Sequence, residues 1–598
     1  MSPSTTPRVL IVGAGPSGLV CALSLLRNGV PVRLIEKSTE PRLGQRGAGI
    51  MPRSLELFNA FGFADQVVKL AIPPPPTLQY QLPKGTHPIN EFEMSPNAPP
   101  TPSCPFTNIV LLGQSHLEDI LRASLAELGC TVEAGTELVA FEQVEGAVNV
   151  QLARHGKDGT DVEGTKENAS YDWMIGSDGA RGVVRKLSGF SFLGETRTIE
   201  THVVGDIFVE GLSQKYWHMW GDASTLLVSL RPTETHGLFS FIVAGPEINH
   251  SYLSNNEAAL RKCFEENTGS KTGLKFGAIP WVNHYTPNIR MVQTFQKGRV
   301  FLVGDSAHVH SFSGGQGMNT GIQDAYNLSW KLALVQRKYA HPSLLHSYSD
   351  ERIPVIREML SRTTKILKRS FTEKTPDAWG SSSSGSFSSS SSASDGAGGG
   401  MLQLGINYRW SPIVLDERKR AEDAEFADFD FDEGEDEEPI APIDAYGGHG
   451  DAVLRAGDRA PDASDLVDLS AAAAAIPKLR GLGLRRLFGV FGPSYHTVLV
   501  FAPAHHQCPA IVRLLRRCPP DTVRAVVIVV RGQNVPPYCR EGVSAVLEDK
   551  LGHAHAGYGI LDGWGVVVVR PDGVVGAILA GAEGVQRYFG GIFGRRRA

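Results

Sequence analysis

The chain has 598 residues, 42% of them hydrophobic and 20% charged, enough for roughly three or four domains with real cores. Collagen, wholesale disorder and a mini-protein scaffold are thereby excluded. Fifty-eight basic against 63 acidic side chains give a net charge of -5, far from the basic footprint of phosphate-backbone binding, so nucleic acid is not an expected partner.

Seven cysteines without a CxxC pair suggest neither zinc nor a redox dithiol, and they fit a reducing compartment. The start MSPSTTPRVLIVGAG lacks the basic n-region and long apolar stretch of a signal peptide. No later run approaches the roughly 20 apolar residues of a membrane span, so a soluble, cytoplasmic protein without a transmembrane segment is expected.

Val9 to Val12 reads as a strand, GAGPSG as a turn, and Leu19, Ala22, Leu23 and Leu26 as a helix stopped at Asn28-Gly29. A strand from Val30 to Ile35 follows. This βαβ opening predicts an α/β, doubly wound, Rossmann-like parallel sheet. Eleven prolines between Pro73 and Pro105 predict an irregular excursion of turns and edges. Asn108 to Leu112 then resumes regular structure, Leu117 to Leu128 reads as a helix, 131–152 as short strands, 155–169 as a polar loop, and Tyr171 to Ile175 as a return to the core sheet.

Thr201 to Val282 alternates and is rich in aromatics, predicting a second, largely antiparallel layer. Strand Val300 to Val303 and the helical pattern Ile322 to Val335 restore α/β character, so the first domain is discontinuous in sequence. Gly380 to Gly400 is almost pure serine and glycine, the composition of a flexible linker. Glu422 to Glu438 carries 11 carboxylates in 17 residues, and self-repulsion predicts a solvated acidic loop. Beyond it, strands Thr497 to Ala502 and Val523 to Val530, a helix near Pro509 to Arg517, and a hairpin at Val566 to Arg570 and Val574 to Leu579 resemble the thioredoxin fold. With Cys508 and Cys518 ten residues apart, disulfide exchange is not expected of it.

The resulting division is 1–190 with 285–370 as a dinucleotide-type domain, 191–284 as an inserted β-sheet substrate domain, 371–440 as linker, and 441–598 as a thioredoxin-like domain. The 73–105 excursion runs from the first of these towards the second.

Gly13, Gly15 and Gly18 let the backbone approach a pyrophosphate and aim helix N–H groups at it, and Glu36 closes the next strand where an adenosine ribose would lie. The fingerprint alone leaves FAD and NAD(P) both open. IGSDGARGVVRKL (Ile175 to Leu187) and GRVFLVGDSAHVHSFSGGQGMNTGIQDAYNLSWKLALV (Gly298 to Val335) resemble the DG and GD signatures of the FAD-dependent aromatic hydroxylases, the group A flavoprotein monooxygenases. The segment Ala445 to Ala463 and the remainder are similar to that family's phenol hydroxylase branch.

The resemblance implies FAD, with Arg46, Gln114, Asp178 and Asp305 among its contacts and Gly315, Gly317, Met318 and Asn319 approaching the ring from a helix that starts near Asn319. It further implies NADPH or NADH as a transient co-substrate, dioxygen, and a flavin hydroperoxide that hydroxylates a phenolic or polyketide-derived aromatic. Baeyer–Villiger oxygen insertion on a related polyketide stays open, as does a non-catalytic flavin-binding role. A structural or homodimer-contact role is expected of the C-terminal domain. Tyr216 and Trp220, with Trp281, are expected to wall the substrate pocket; no catalytic side chain and no metal site is assigned, and His308 and His310 are read as loop packing. Ser313 stands where the family usually has proline, Gly182 where the DG motif often has serine, and Ala48 where some phenol hydroxylases have aspartate.

Overall fold

The computed structural model describes residues 6–156, 166–197, 200–270, 273–311, 313–372, 402–418, 443–447, 453–469, 486–560 and 565–594. Gly380 to Gly400 and the acidic run Glu422 to Glu438 lie outside the described residues.

Val9–Val12 is buried throughout and lies at the centre of a six-stranded sheet in the order Gln296–Lys297, Val300–Leu302, Trp173–Gly176, Val9–Val12, Val32–Glu36, Val132–Ala134. All pairs are parallel except the Gln296–Lys297 edge. The first helix, Pro16–Arg27, opens on a proline, whose missing N–H costs nothing at that position. It packs against the 20-residue helix Gly317–Gln336, which begins two residues before the expected start near Asn319.

The expected antiparallel layer is an eight-stranded sheet: Lys275–Phe276, His202–Glu210, Leu238–Ala244, Leu226–Pro232, Trp217–Asp222, Thr77–Tyr80 and Pro88–Phe92 in order, with Trp281–Tyr285 also paired to His202–Glu210. The proline-rich excursion therefore contributes strands to this sheet, Thr77–Tyr80 running parallel to Trp217–Asp222. The alternating pattern concealed two helices, His250–Asn255 and Glu257–Asn267, the second of which buries Leu260 and Phe264 against one face.

In the C-terminal unit, His496–Val500 and Val523–Val530 are parallel neighbours and the hairpin Val566–Val569, Val575–Leu579 pairs antiparallel beside them. The stretch 371–440, expected as linker throughout, is corrected at residues 402–418. Ile406 and Tyr408 join the main core, and Gln403 is fully buried, bonded to Gln316 and Gln323 at 2.6 Å each.

A buried ion network joins this segment, the C-terminal hairpin and the first unit. Glu351 accepts from Lys331 at 2.7 Å, from Arg570 at 2.7 and 2.9 Å, and from Ser411 at 2.6 Å. Arg570 also holds Asp572 in its own turn, and Asp572 lies against the Trp330 indole N–H at 3.2 Å. Burial would raise the Glu351 carboxyl, but Arg570 and Lys331 outweigh it and hold the group charged; burial brings Lys331 down to about 8. Removing one member of such a network strands the others without water. Arg570→Met is therefore expected to lose about 3–5 kcal/mol in equilibrium urea unfolding; a loss below about 1 kcal/mol would show that the network does not hold the units together.

Candidate functional site

The parallel sheet ends in a glycine turn whose tightness is steric. At Gly13, with φ +102°, a Cβ would come within 2.5 Å of the Ser177 carbonyl oxygen; at Gly18 it would lie 2.0 Å from the Gly13 oxygen. Gly15 is different: a Cβ there would project into open space. Glu36 braces the turn, its Oε2 accepting from the Ala14 N–H at 2.9 Å and its Oε1 from Ser38 at 3.1 Å, with Arg42 4.0 Å away.

This turn opens into a cleft of about 1660 Å³ that continues without interruption to the antiparallel sheet. That exceeds the roughly 300–1,000 Å³ of a single small-molecule pocket, leaving room for two ligands side by side. Gly13, Gly15, Glu36, Arg46, Gln114, Asp178, Asp305, Gly315, Gly317, Met318 and Trp281 all line it.

Two expected cofactor residues do not. Gly18 is packed under the turn, and Asn319 is fully buried, donating to Gly49 and Gly315 oxygens and accepting from Met51 N–H and Ser54. Asn319 holds loops together behind the cleft wall because its amide has four partners there and none to spare.

Trp220 and Tyr216 are also corrected. Strand side chains alternate between faces, and along Trp217–Asp222 the cleft face receives Trp217 while Trp220 (0% exposed) and Tyr216 pack into the opposite core with Tyr80 and Phe241. Of the aromatic run, Trp217 lines the cleft while Tyr216 and Trp220 belong to the core.

Arg46 has φ +44° and lies over the Trp281 ring at 4.9 Å, joining the glycine-rich loop to the second sheet. Gln114 opens the helix Gln114–Ala126 and approaches Met318 across Gly47. Asp178 accepts from the Val184 N–H at 2.9 Å, its other oxygen has no partner, and burial raises its pKa. A Cβ at Gly182 would meet that carboxylate at 2.1 Å, which explains glycine at a position where the resemblance has serine.

Asp305 is exposed on the cleft wall, where desolvation by the surrounding protein raises its pKa. Its loop is anchored by Asp324, which accepts from the Gly304 N–H at 3.1 Å, His308 at 2.6 Å and Arg352 at 2.7 Å. Burial alone would raise the Asp324 carboxyl; Arg352 and His308 outweigh it and hold it at about 2. His308 thus serves a hydrogen bond inside the loop, to a carboxylate the sequence did not nominate. Arg185, also unforeseen, donates to Ser306 and Ala180 oxygens at 3.0 and 2.6 Å and ties the two signature loops together.

The helices Pro16–Arg27 and Gly317–Gln336 both begin at the cleft without a side-chain cap or an acidic residue in the first turn. Their positive ends face open space, a setting that favours anionic groups. With the void beside Gly15, these features fit a dinucleotide laid across the parallel sheet.

The glycine turn and the sheet face bearing Trp217 and Trp281 thus share one continuous cleft. Residues 6–363 match the family model described as FAD binding domain, and the chain belongs to that family. It is 30% identical over 551 residues to a flavin-dependent monooxygenase of Mycobacteroides abscessus, covering 90% of this chain and 98% of that one. It is 34% identical over 367 residues to the 6-methylpretetramide 4-monooxygenase of Streptomyces rimosus, covering 60% of this chain and 61% of the relative. Among solved structures, the flavin-dependent monooxygenase PieE in complex with FAD and substrate has the same fold, with a TM-score of 0.74 at 21% identity over 99% of this chain and all of that one. The protein is an FAD-dependent monooxygenase of the aromatic hydroxylase type. Among the described residues no helix is long and apolar enough to cross a membrane.

Between the two halves of the cleft lies Asp206, 1% exposed, whose Oδ2 accepts from the Gln45 N–H at 2.8 Å. Burial pushes its pKa up to about 6. The folded protein therefore holds this proton more tightly than the unfolded chain, and the stability it contributes below the ordinary carboxylate range is lost as pH rises through about 6. Asp206→Asn is expected to be more stable than the parent by about 2–3 kcal/mol at high pH, with the difference vanishing on acidification below the ordinary aspartate range; paired thermal melts across pH check this.

Proposed function

We propose that the protein uses NADPH or NADH and dioxygen to hydroxylate a phenolic or polyketide-derived aromatic. The observation that carries this reading is the continuity of the cleft from the Gly13 turn to the sheet face bearing Trp217, Trp281, Ser229 and Ser240. The names of two relatives, 6-methylpretetramide 4-monooxygenase and pentachlorophenol 4-monooxygenase, support aromatic substrates of this kind.

Gly13, Gly15 and the first helix would hold the pyrophosphate and Glu36 the adenosine ribose. Asp305 would accept from the ribityl chain, and the Gly315, Gly317 and Met318 backbone would lie against the ring system with Arg46, Gln114 and Asp178 around it. FAD, when bound, supplies the activation of dioxygen with electrons from the nicotinamide. The chain's own contribution is electrostatic and steric. The positive end of helix Gly317–Gln336 stabilises negative charge developing near its start, and Trp217 and Trp281 position an aromatic ring while limiting water. In this reading residues 1–190 and 285–370 form the FAD unit, 191–284 the substrate sheet, and the C-terminal unit, whose strand order supports a thioredoxin-like description, braces the first unit through Arg570.

Purified protein is expected to be yellow and to consume NADPH faster when a suitable phenol is added. Under labelled dioxygen, one heavy oxygen should appear as a ring hydroxyl by mass spectrometry and NMR. A colourless protein that stays so after incubation with FAD would overturn the reading, and an inserted ester oxygen would replace ring hydroxylation with lactone-forming chemistry. Asp305→Ala is expected to weaken FAD about tenfold, or about 1.4 kcal/mol, in equilibrium dialysis.

A further inference from the structure

The cleft face of the antiparallel sheet carries a buried guanidinium with an unsatisfied hydrogen-bond donor. Arg231, on strand Leu226–Pro232, is 9% exposed and lines the cleft. Its register partner across the sheet is Ser240, and two residues earlier on the same face lies Ser229, which already accepts from the Trp217 indole N–H at 2.6 Å. The guanidinium lies 5.9 Å from the Trp217 ring. Among the described residues no carboxylate comes within 4.0 Å of it, and its Nη1 is buried without a hydrogen-bond partner.

Asp206 and Glu234 act on this guanidinium only at longer range, and their hydrogen bonds are made elsewhere. Asp206 accepts from the Gln45 N–H, and Glu234 accepts from His116 at 2.6 Å, Gln45 at 2.9 Å and the Gly113 N–H at 3.0 Å. Both serve the loop that carries Arg46. An arginine does not escape burial by losing its proton, and buried guanidinium groups are ordinarily paired. A buried N–H left without an acceptor in the wall of a cleft costs free energy, and an anionic oxygen bound there would satisfy it.

We propose that Arg231 is the anchor for an anionic oxygen of the substrate, a carboxylate or an acidic phenolate carried on an aromatic ring that packs against Trp217. The proposal rests on the reading of this cleft as a substrate chamber and narrows its substrate class. A planar guanidinium beside two serines suits a two-oxygen or oxygen-plus-hydroxyl edge better than an ammonium would. The uncharged aromatics that fit the same volume lack the one group the wall is built to pair.

The test is calorimetric titration of the FAD-loaded enzyme with two matched pairs: anthraquinone-2-carboxylate against its carboxamide, and alizarin against its 2-methyl ether. At least one anion is expected to bind about tenfold or more tightly than its neutral partner. In Arg231→Met that preference disappears while the neutral probe binds within about twofold of the parent, and Arg231→Lys retains part of it. Melting temperature is recorded for each variant beside binding, so that a loss of fold is distinguished from a loss of the anion preference. Equal binding of both members of each pair, no binding of any probe, or a preference that survives Arg231→Met overturns the proposal. A lower melting point with an unchanged preference does so as well, by making Arg231 a structural residue. Heat is read independently of flavin colour, so loss of FAD would count against the cofactor assignment and leave this test separate.

Discussion

The architecture turns on one fully buried carboxylate. Glu351 gathers Lys331 from the helix that opens at the cleft, Arg570 from the C-terminal hairpin, and Ser411 from the segment between them. Replacing such a cluster with apolar side chains often leaves stability unchanged, whereas losing one member is costly, so the network specifies an arrangement more than it supplies net free energy. What it specifies is the orientation of helix Gly317–Gln336. The same helix carries Asp324 seven residues before Lys331, and Asp324 fixes the Asp305 loop through Gly304 and His308. A charge cluster at the interface of two units thus sets the position of loops at the chamber.

The second constraint is the two-face character of the inserted sheet. One face, with Val203, Trp220, Val228 and Phe241, is sealed by the helix Glu257–Asn267. The other, with Val204, Ser229, Arg231, Ile242 and Asn283, is turned towards the parallel sheet and left open. Apolar packing on one side makes the sheet rigid enough to hold polar groups on the other, and Asp206 and Glu234 then bind that second surface to the Gln45 loop. The Arg46–Trp281 stack bridges the same gap.

Much of the first unit was legible because its information is local. Gly13, Gly15 and Glu36 follow one another in a strand, turn, helix, strand order that admits few backbone solutions. The aromatic strand was less legible: Trp217 and Trp220 are equally aromatic, and which one faces the cleft depends on register with Leu226–Pro232, a long-range fact. Asn319 was misplaced for a related reason, since a motif gives proximity and leaves direction open. Arg231 and Asp324 announce nothing in sequence; one is singled out by a buried donor without a hydrogen bond and the other by accepting from three groups. Residues 402–418 were hidden between two stretches of biased composition, and only their fit into the core distinguishes them.

Gln403 reaches back from that segment to Gln316, the residue immediately before the helix at the chamber. The two halves of the molecule are therefore poor modules for recombination. A chimera that exchanges the C-terminal unit would have to carry the 402–418 strap and the Arg570 turn with it, or inherit a first unit whose helix at the chamber has lost its moorings.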